Sequence, residues 1–448
     1  MDQLTIGIVG TIGMLFMVFL GVRVYAAAAM TGLLGCVAVL ALDGSGGFDL
    51  ARGWSAGAGI VGTIPHSKAV NYALSVLPMF ILIGFIAYHA GLTHALFNAA
   101  RAWFGWVPGG LAVATVFATA GFAAVSGAST ATAAVFSRVA IPHMLQNGYS
   151  KQLSAGVVAA GGTLASLIPP SAILVIYAII VEQSVGALIL AGFLPGVVSA
   201  IIYAMLIIGQ CMIDPSQGKP VASPPLLERV KTLPPIMPIA LVVAIIFYSM
   251  YSGKATPTEA GALGAFVIFV IAVMRGMKWG NMQEALLETA KLTVMIFALI
   301  WGILIFVRFL GFAGLPQAFA EWIIQLPFPP VVIMIGILLG YAVLGMFMDA
   351  IGMLLLTLPV VYPAVIALGY DPVWFGIIVV KMCEVCLITP PVGLNCYVVH
   401  AVRPDIPLGA VFRGIAPFFG ADVATVALFI AFPEIITWLP SMLGAGAN

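Results

Sequence analysis

The sequence predicts an all-α polytopic membrane protein made of two inverted repeats, each with a re-entrant helical hairpin and a broken helix. Three observations predict it. First, 62% of the 448 residues are hydrophobic and only 7% are charged, whereas a soluble domain carries about 25% charge. No soluble fold of this length hides that much apolar surface. Second, many apolar runs are continuous and approach the roughly 20 residues that cross a bilayer as helix. Only helices and closed barrels satisfy their own backbone in hydrocarbon, and continuous runs without alternation select helices. Third, the chain repeats itself at a fixed offset. Pro390 lies 221 positions beyond Pro169 (390 − 169), and the same offset carries Pro170 onto Pro391, Pro142 onto Pro363, and Gly148-Tyr149 onto Gly369-Tyr370. Repeated halves with broken apolar helices mark secondary transporters.

Composition excludes several classes. The formal net charge of +1 gives no reason to expect a nucleic-acid partner. Of the five cysteines, Cys36 and Cys211 stand alone, and Cys383 and Cys386 form a single CxxC without a second pair or a histidine at metal spacing. Such thiols are read as packing residues. His66, His89, His94, His143 and His400 form no metal or catalytic spacing, and His89 and His94 are read as interfacial. An intramembrane enzyme using Asp349 with Glu384 or a histidine lacks a paired catalytic motif, so no enzyme is expected. The N-terminus has no basic region or small-residue cleavage site, and residues 4–20 are read as a retained span.

The elements follow in order. Spans at 4–20 and 24–42 are joined by a tight turn at Gly21-Val22-Arg23. A Gly- and Ser-rich stretch, 43–70, with Trp54, Pro65, His66 and Lys68, is read as an interfacial loop or a short lateral helix. A span at 74–89 precedes a polar-flecked region, 109–144, interrupted at Ser126-Gly127-Ala128-Ser129-Thr130. Residues 154–167 lead into Pro169-Pro170, 173–181 continue beyond it, and 188–212 close the first repeat, 1–213. Residues 214–235, hydrophilic and proline-rich, form a cytoplasmic linker to the second repeat, 236–448. That repeat has spans at 239–251 and 260–274, a polar arm at 275–291 and a span at 292–310. There Ala313-Gly314-Leu315 echoes Ala90-Gly91-Leu92. An apolar run at 331–366 is interrupted at Met348-Asp349-Ala350, the second double proline follows, and 411–432 is the last span.

Loop charge orients this plan. Lys219, Arg229 and Lys231 lie in one loop and Arg275, Lys278 and Lys291 in another, two spans apart. The positive-inside rule makes that side cytoplasmic. No Lys or Arg follows Phe432. Each half then makes an odd number of crossings, so the repeats run in opposite senses.

The chemistry is expected at the breaks. Irregular backbone at membrane depth survives only where it is buried in protein or lines a cavity. Proline lacks an N–H and collides with the preceding turn, which frees carbonyls upstream of Pro169, Pro170, Pro390 and Pro391. Freed carbonyls and hydroxyls are hard oxygen ligands suited to Na+. The first-half set is Ser126, Ser129, Thr163 and the backbone near Gly161 and Gly162. The second-half set is Asp349 with the adjacent Met348 backbone, Thr389 and Asn395. Hydroxyls in membrane helices also bond their own backbone, and small residues also serve close packing. Charges inside apolar runs are costly and mark function; here they are Asp349, Glu384, Lys381 and Arg308. Lys381 and Glu384, three apart on a helix, are placed to neutralise each other, and Arg308 to snorkel or to face a partner subunit. Glu259 is read as a carboxylate favoured at a helix N-terminus.

These motifs resemble a known family. The run Ser126-Gly127-Ala128-Ser129-Thr130-Ala131-Thr132, then Gly148-Tyr149-Ser150, then Ser166-Leu167-Ile168-Pro169-Pro170-Ser171 is similar to the large membrane subunit of tripartite ATP-independent periplasmic (TRAP) transporters. So are Met346-Phe347-Met348-Asp349, Gly369-Tyr370-Asp371, Thr389-Pro390-Pro391-Val392-Gly393-Leu394-Asn395 and Thr256-Pro257-Thr258-Glu259-Ala260. The resemblance implies a bacterial inner-membrane, Na+-coupled importer of organic acids such as C4-dicarboxylates or sialic acid. It implies an elevator-like mechanism, a small four-helix membrane subunit and a periplasmic substrate-binding protein. It puts Ser126 and Ser129 on the first hairpin tip and Asp349 on the second. Ser129, Thr130 and Asn395 are then expected to orient the substrate. Since the sequence ends soon after its last span, no fused small subunit is expected. The alternative is a stand-alone carboxylate symporter or antiporter of related architecture.

Overall fold

The structure is a computed structural model that describes residues 2–42, 47–222 and 224–442. Among them the secondary structure is helical, apart from one isolated bridge between Leu42 and Phe48. Seven described helices are long and apolar enough to cross a membrane.

Helices α1 (Gln3–Phe19) and α2 (Val24–Ala41) turn at Gly21, whose φ of +87° favours glycine. The stretch read as a loop or short lateral helix is a 20-residue helix, α3 (Leu50–Ala69). Two of its glycines serve packing: Gly53 and Gly57 rest on Val37 and Ala41 of α2, where a larger residue would not fit. Asp43, Gly44, Ser45 and Gly46 of that stretch lie outside the described residues. Helices α4 (Val76–His89) and α5 (Leu92–Phe104) meet at 72°.

Then come α6 (Gly110–Ser126), α7 (Ser129–Gln146), α8 (Lys151–Thr163), α9 (Ala172–Ile180) and α10 (Val185–Ile213). The connecting segment holds a short helix, α11 (Leu226–Lys231). It is strapped to neighbouring loops: Ser150 N–H donates to Gln217 O (3.0 Å) and Val221 N–H to Gly105 O (2.9 Å). The Tyr149 hydroxyl donates to Lys219 O (2.8 Å).

Beyond it run α12 (Met237–Tyr251) and α13 (Pro257–Met274). Glu259 closes a capping box with Thr256, its carboxylate accepting the Thr256 N–H at 2.7 Å. The polar arm expected at 275–291 is the first part of one 34-residue helix, α14 (Trp279–Phe312). Good helix formers (Gln283, Glu284, Ala285, Leu286, Leu287, Glu288) carry the helix through the polar stretch without a break. Next are α15 (Leu315–Ile324), α16 (Pro330–Gly345), α17 (Ala350–Ala367), α18 (Pro372–Ile388), α19 (Leu394–Val402) and α20 (Leu408–Ala431). A further short helix, α21 (Glu434–Met442), follows the last expected span. Gly91 and Gly314, the echoed pair, take matching left-handed conformations (φ +74° and +70°) before α5 and α15.

Packing divides the chain into two compact units, each drawing on both halves. One comprises Met1–Ser75, Lys291–Leu339 and Ile351–Pro372. Within it α2 and α14 touch through Gly32 and Gly302, each set against the other helix's backbone. The other comprises Val76–Ala290, Gly340–Ala350 and Val373–Asn448. There α8 lies between α7 and α20. Gly156 on α8 and Gly414 on α20 leave no room for a Cβ against the facing carbonyls of Gly414 and Gln152. Close backbone approach of this kind is how helices pack without a hydrophobic drive in lipid.

Candidate ion and substrate site at the helix breaks

The site lies in the second unit and is built from interrupted helices. α6 stops at Ser126 because Gly127 adopts φ +57°, and α7 restarts at Ser129. α8 tightens into a 3-10 turn over Leu164–Ser166, passes Pro169-Pro170, and α9 restarts with Ser171 as N-cap. The two interruptions meet: a Cβ on Gly127 would stand 2.5 Å from the Pro170 carbonyl oxygen. Glycine is required there by both its φ and its neighbour. The contact brings together the C-terminal ends of α6 and α8, with partial negative charge, and the N-terminal ends of α7 and α9, with partial positive charge. Cations are favoured at the former and anions at the latter.

Hydroxyls line this junction. Ser129 Oγ and Ser166 Oγ are 2.7 Å apart, and Ser126 Oγ and Thr132 Oγ1 3.0 Å. Ser171 donates to the Ser166 carbonyl freed by the proline pair. The Thr163 hydroxyl donates to Ala160 O (2.7 Å). Gly161 fits against Thr119 Oγ1, and Gly162 against Ser129 O and Ala133. Behind the hairpin tip a cavity of about 170 Å³ is lined by Ser126, Phe122, Arg138 and Glu288 among others.

The second break has the same grammar. α18 ends at Ile388, Pro390-Pro391 follow, and α19 restarts after Gly393 (φ +46°). Both proline pairs are joined by cis bonds. Thr389 Oγ1 donates to the Val385 carbonyl at 2.6 Å. Asn395, fully buried, donates Nδ2 to Ala159 O of α8 at 3.1 Å and leaves Oδ1 without a donor. Since α19 packs on both α7 and α8, this amide carries the second break onto the first.

The expected residues are thus partly assembled. Ser126, Ser129, Gly161, Gly162, Thr163 and Asn395 surround the first break, with Thr130 half-buried in the first turn of α7. Pro169 and Pro170 are buried there, whereas Pro390 and Pro391 are exposed. Met348 and Asp349 stand in the interruption between α16 and α17. Next to them the Cys383 thiol on α18 donates to Ala350 O (3.6 Å), and Asp349 acts on that thiol electrostatically. Thr389 lies six residues further along the chain. Arg308 is exposed on α14.

Asp422 and Tyr203, buried in one charge cluster, escaped the sequence reading. Lys381 Nζ lies 2.7 Å from Glu384 Oε2, as the spacing predicted, and equally 2.7 Å from Asp422 Oδ1 on α20. Tyr203 on α10 donates to that same oxygen at 2.7 Å. Asp422 is the one acid inside the final apolar span, so the cost of intramembrane charge was the signal that could have found it. The five cysteines are all free and buried, in keeping with packing thiols.

A fold of interrupted membrane helices, with a buried polar junction where they break, defines a membrane transport protein. Comparison with known proteins makes this specific. The family described as "Tripartite ATP-independent periplasmic transporter, DctM component" matches residues 11–435. The C4-dicarboxylate TRAP transporter large permease protein DctM of Pseudomonas aeruginosa is 35% identical over 376 residues, covering 84% of this chain and 87% of the relative. The sialic acid TRAP transporter large permease protein SiaM of Vibrio cholerae is 31% identical over 379 residues, covering 84% and 88%. Among solved structures, the Alcanivorax borkumensis YdaH transporter shares the fold, with a TM-score of 0.59 at 14% identity over 90% of this chain and 98% of that one. The chain therefore belongs to the DctM family of TRAP transporter large permeases. It is a multi-pass inner-membrane transport protein and not an enzyme.

Proposed function

We propose that this permease imports a small organic acid, of the C4-dicarboxylate or sialic acid class, by coupling its entry to Na+. The observation that carries the reading is the Gly127–Pro170 contact, which joins two helix breaks into one polar junction, together with the unpartnered Asn395 Oδ1 beside it. The donor set fits Na+: Ser126, Ser129, Thr163 and Asn395 offer neutral hard oxygens, supplemented by carbonyls at Gly161 and Gly162. Asp349, Thr389 and the Met348 carbonyl form a second set. Bound cations supply positive charge that offsets the acid's carboxylate. The chain's own part is to hold these oxygens in place, to exclude lipid, and to aim the N-termini of α7 and α9 at an anionic group. Ser129, Thr130 and Asn395 orient that group.

In this reading the halves are inverted repeats, one unit moves as an elevator against the other, and a small four-helix membrane subunit and a periplasmic binding protein complete the transporter. The substrate class is carried over from the P. aeruginosa and V. cholerae relatives.

The test is uptake of labelled succinate or sialic acid into proteoliposomes containing the permease and its genomic partners, under a Na+ gradient. Uptake is expected to need Na+, and Asp349→Ala to cut it at least tenfold while the protein still elutes as a folded species. Uptake that is indifferent to Na+, or an Asp349→Ala protein with unchanged Na+ dependence, would refute the assignment.

A further inference from the structure

Four side chains from three helices of the second unit form a charge cluster that the proposed Na+ sites do not use. Lys381 and Glu384 come from α18, Asp422 from α20 and Tyr203 from α10, and all four are fully enclosed. Lys381 Nζ bridges Glu384 Oε2 and Asp422 Oδ1, at 2.7 Å each. The Tyr203 hydroxyl donates to Asp422 Oδ1, and its ring centroid is 5.4 Å from Nζ. The remaining oxygens, Glu384 Oε1 and Asp422 Oδ2, are buried and receive no hydrogen bond.

The charges do not balance. One ammonium faces two carboxylates, and the phenol is neutral. The other titratable groups nearby are Cys383, adjacent to Glu384, and Asp349, which acts on that thiol electrostatically. Neither brings positive charge. The Thr163 hydroxyl beside Tyr203 is neutral, and the Leu167 N–H near Glu384 is donated to Leu164 O (3.2 Å). A surplus buried charge at membrane depth is costly enough that the group neutralises.

We propose that Glu384, within its pair with Asp422, is a proton-binding site separate from the sodium sites. A lone pair on Glu384 Oε1 takes one proton from solvent, and the cluster becomes neutral. Glu384 is the acceptor because Asp422 already receives two donors, Lys381 and Tyr203, while Glu384 receives only Lys381. An alkali ion fits worse, since it exchanges its hydration shell for a ring of oxygens and only two oxygens here are unpartnered. The proton lies between the breaks: Tyr203 adjoins Thr163 at the end of α8, and Glu384 is five residues before Thr389. Its presence therefore sets the charge of the wall behind both.

The test is infrared difference spectroscopy of the purified protein in lipid at neutral pH, with its small membrane partner if the two co-purify. The wild type is expected to show a carboxylic-acid carbonyl band that is lost in Glu384→Gln. The same loss is expected in Asp422→Asn, where Lys381 and Glu384 balance without a proton, so either variant suffices if the other does not fold. The band should persist in Asp349→Asn. A wild type without the band, or a band that survives both substitutions, would overturn the proposal. So would a missing band combined with 22Na+ binding that depends on Glu384 and Asp422, which would make the cluster an alkali-ion site. None of these readings depends on Na+-driven uptake, so this proposal and the coupling scheme fail separately.

Discussion

The two helix breaks share a motif and differ in their surroundings. At the first, every residue from Gly161 to Ala178 is buried, and the hairpin tip is pressed onto the Pro170 carbonyl. At the second, Thr389 is half-buried and Pro390, Pro391 and Val392 are exposed. A repeated proline pair dictates that a helix stops and restarts. Whether the loosened backbone is enclosed depends on what packs over it. The first break has Gly127, Ser129 and Gly192 fitted around it, and Gly192 meets the Leu167 carbonyl where no Cβ would fit. The same proline motif therefore provides two similar gaps, and tertiary packing encloses one and leaves the other exposed.

Substitutions can break or sharpen this contrast. The largest effect on stability is expected at Lys381, whose ammonium ties the helix leading into the second break to residues around the first. Lys381→Ala leaves the buried Asp422 carboxylate without its cation and should cost about 3–5 kcal/mol, read as a fall in thermal unfolding midpoint in detergent. Next is the glycine pair. Gly127→Ala combines a left-handed φ of +57° with a Cβ 2.5 Å from a backbone oxygen and should cost about 2–4 kcal/mol. Gly393→Ala meets the Phe412 ring at 2.9 Å, a side chain able to turn aside, and should cost only about 1–2 kcal/mol. Equal losses at both would remove the distinction between closed and open breaks.

Hydroxyl removal is smaller. Ser129→Ala deletes the contact with Ser166 and should cost about 1 kcal/mol, while Thr389→Val deletes only a bond within its own helix and should cost less. The smallest effect is at a helix start that the site does not use. Thr256→Ala removes the capping box with Glu259 and should lower the melting temperature slightly and leave uptake unchanged.

Interruptions were legible in the sequence because glycine and proline act locally. Ser126 to Thr130, Met348 to Ala350 and both proline pairs interrupt helices where the motifs said they would. Charge inside apolar runs identified Lys381 and Glu384, and their spacing gave their contact. What was not legible depended on residues far apart in the chain. Asp422 completes the cluster from α20, 41 positions after Lys381 (422 − 381). Nor did composition distinguish a polar arm from a helix at 275–291, since charged side chains at helical spacing suit an exposed helix as well as a loop. For α3, two of the glycines that read as flexible, Gly53 and Gly57, serve contact with α2.

Binding of 22Na+ to the purified protein, measured at equilibrium for the wild type, Asn395→Ala and Thr256→Ala, puts the assembled break to its most direct trial. Saturable binding, weakened at least tenfold by Asn395→Ala and untouched by Thr256→Ala, is the predicted result. Binding of the same strength in all three proteins, or none in the wild type, would contradict a cation site at the joined helix ends.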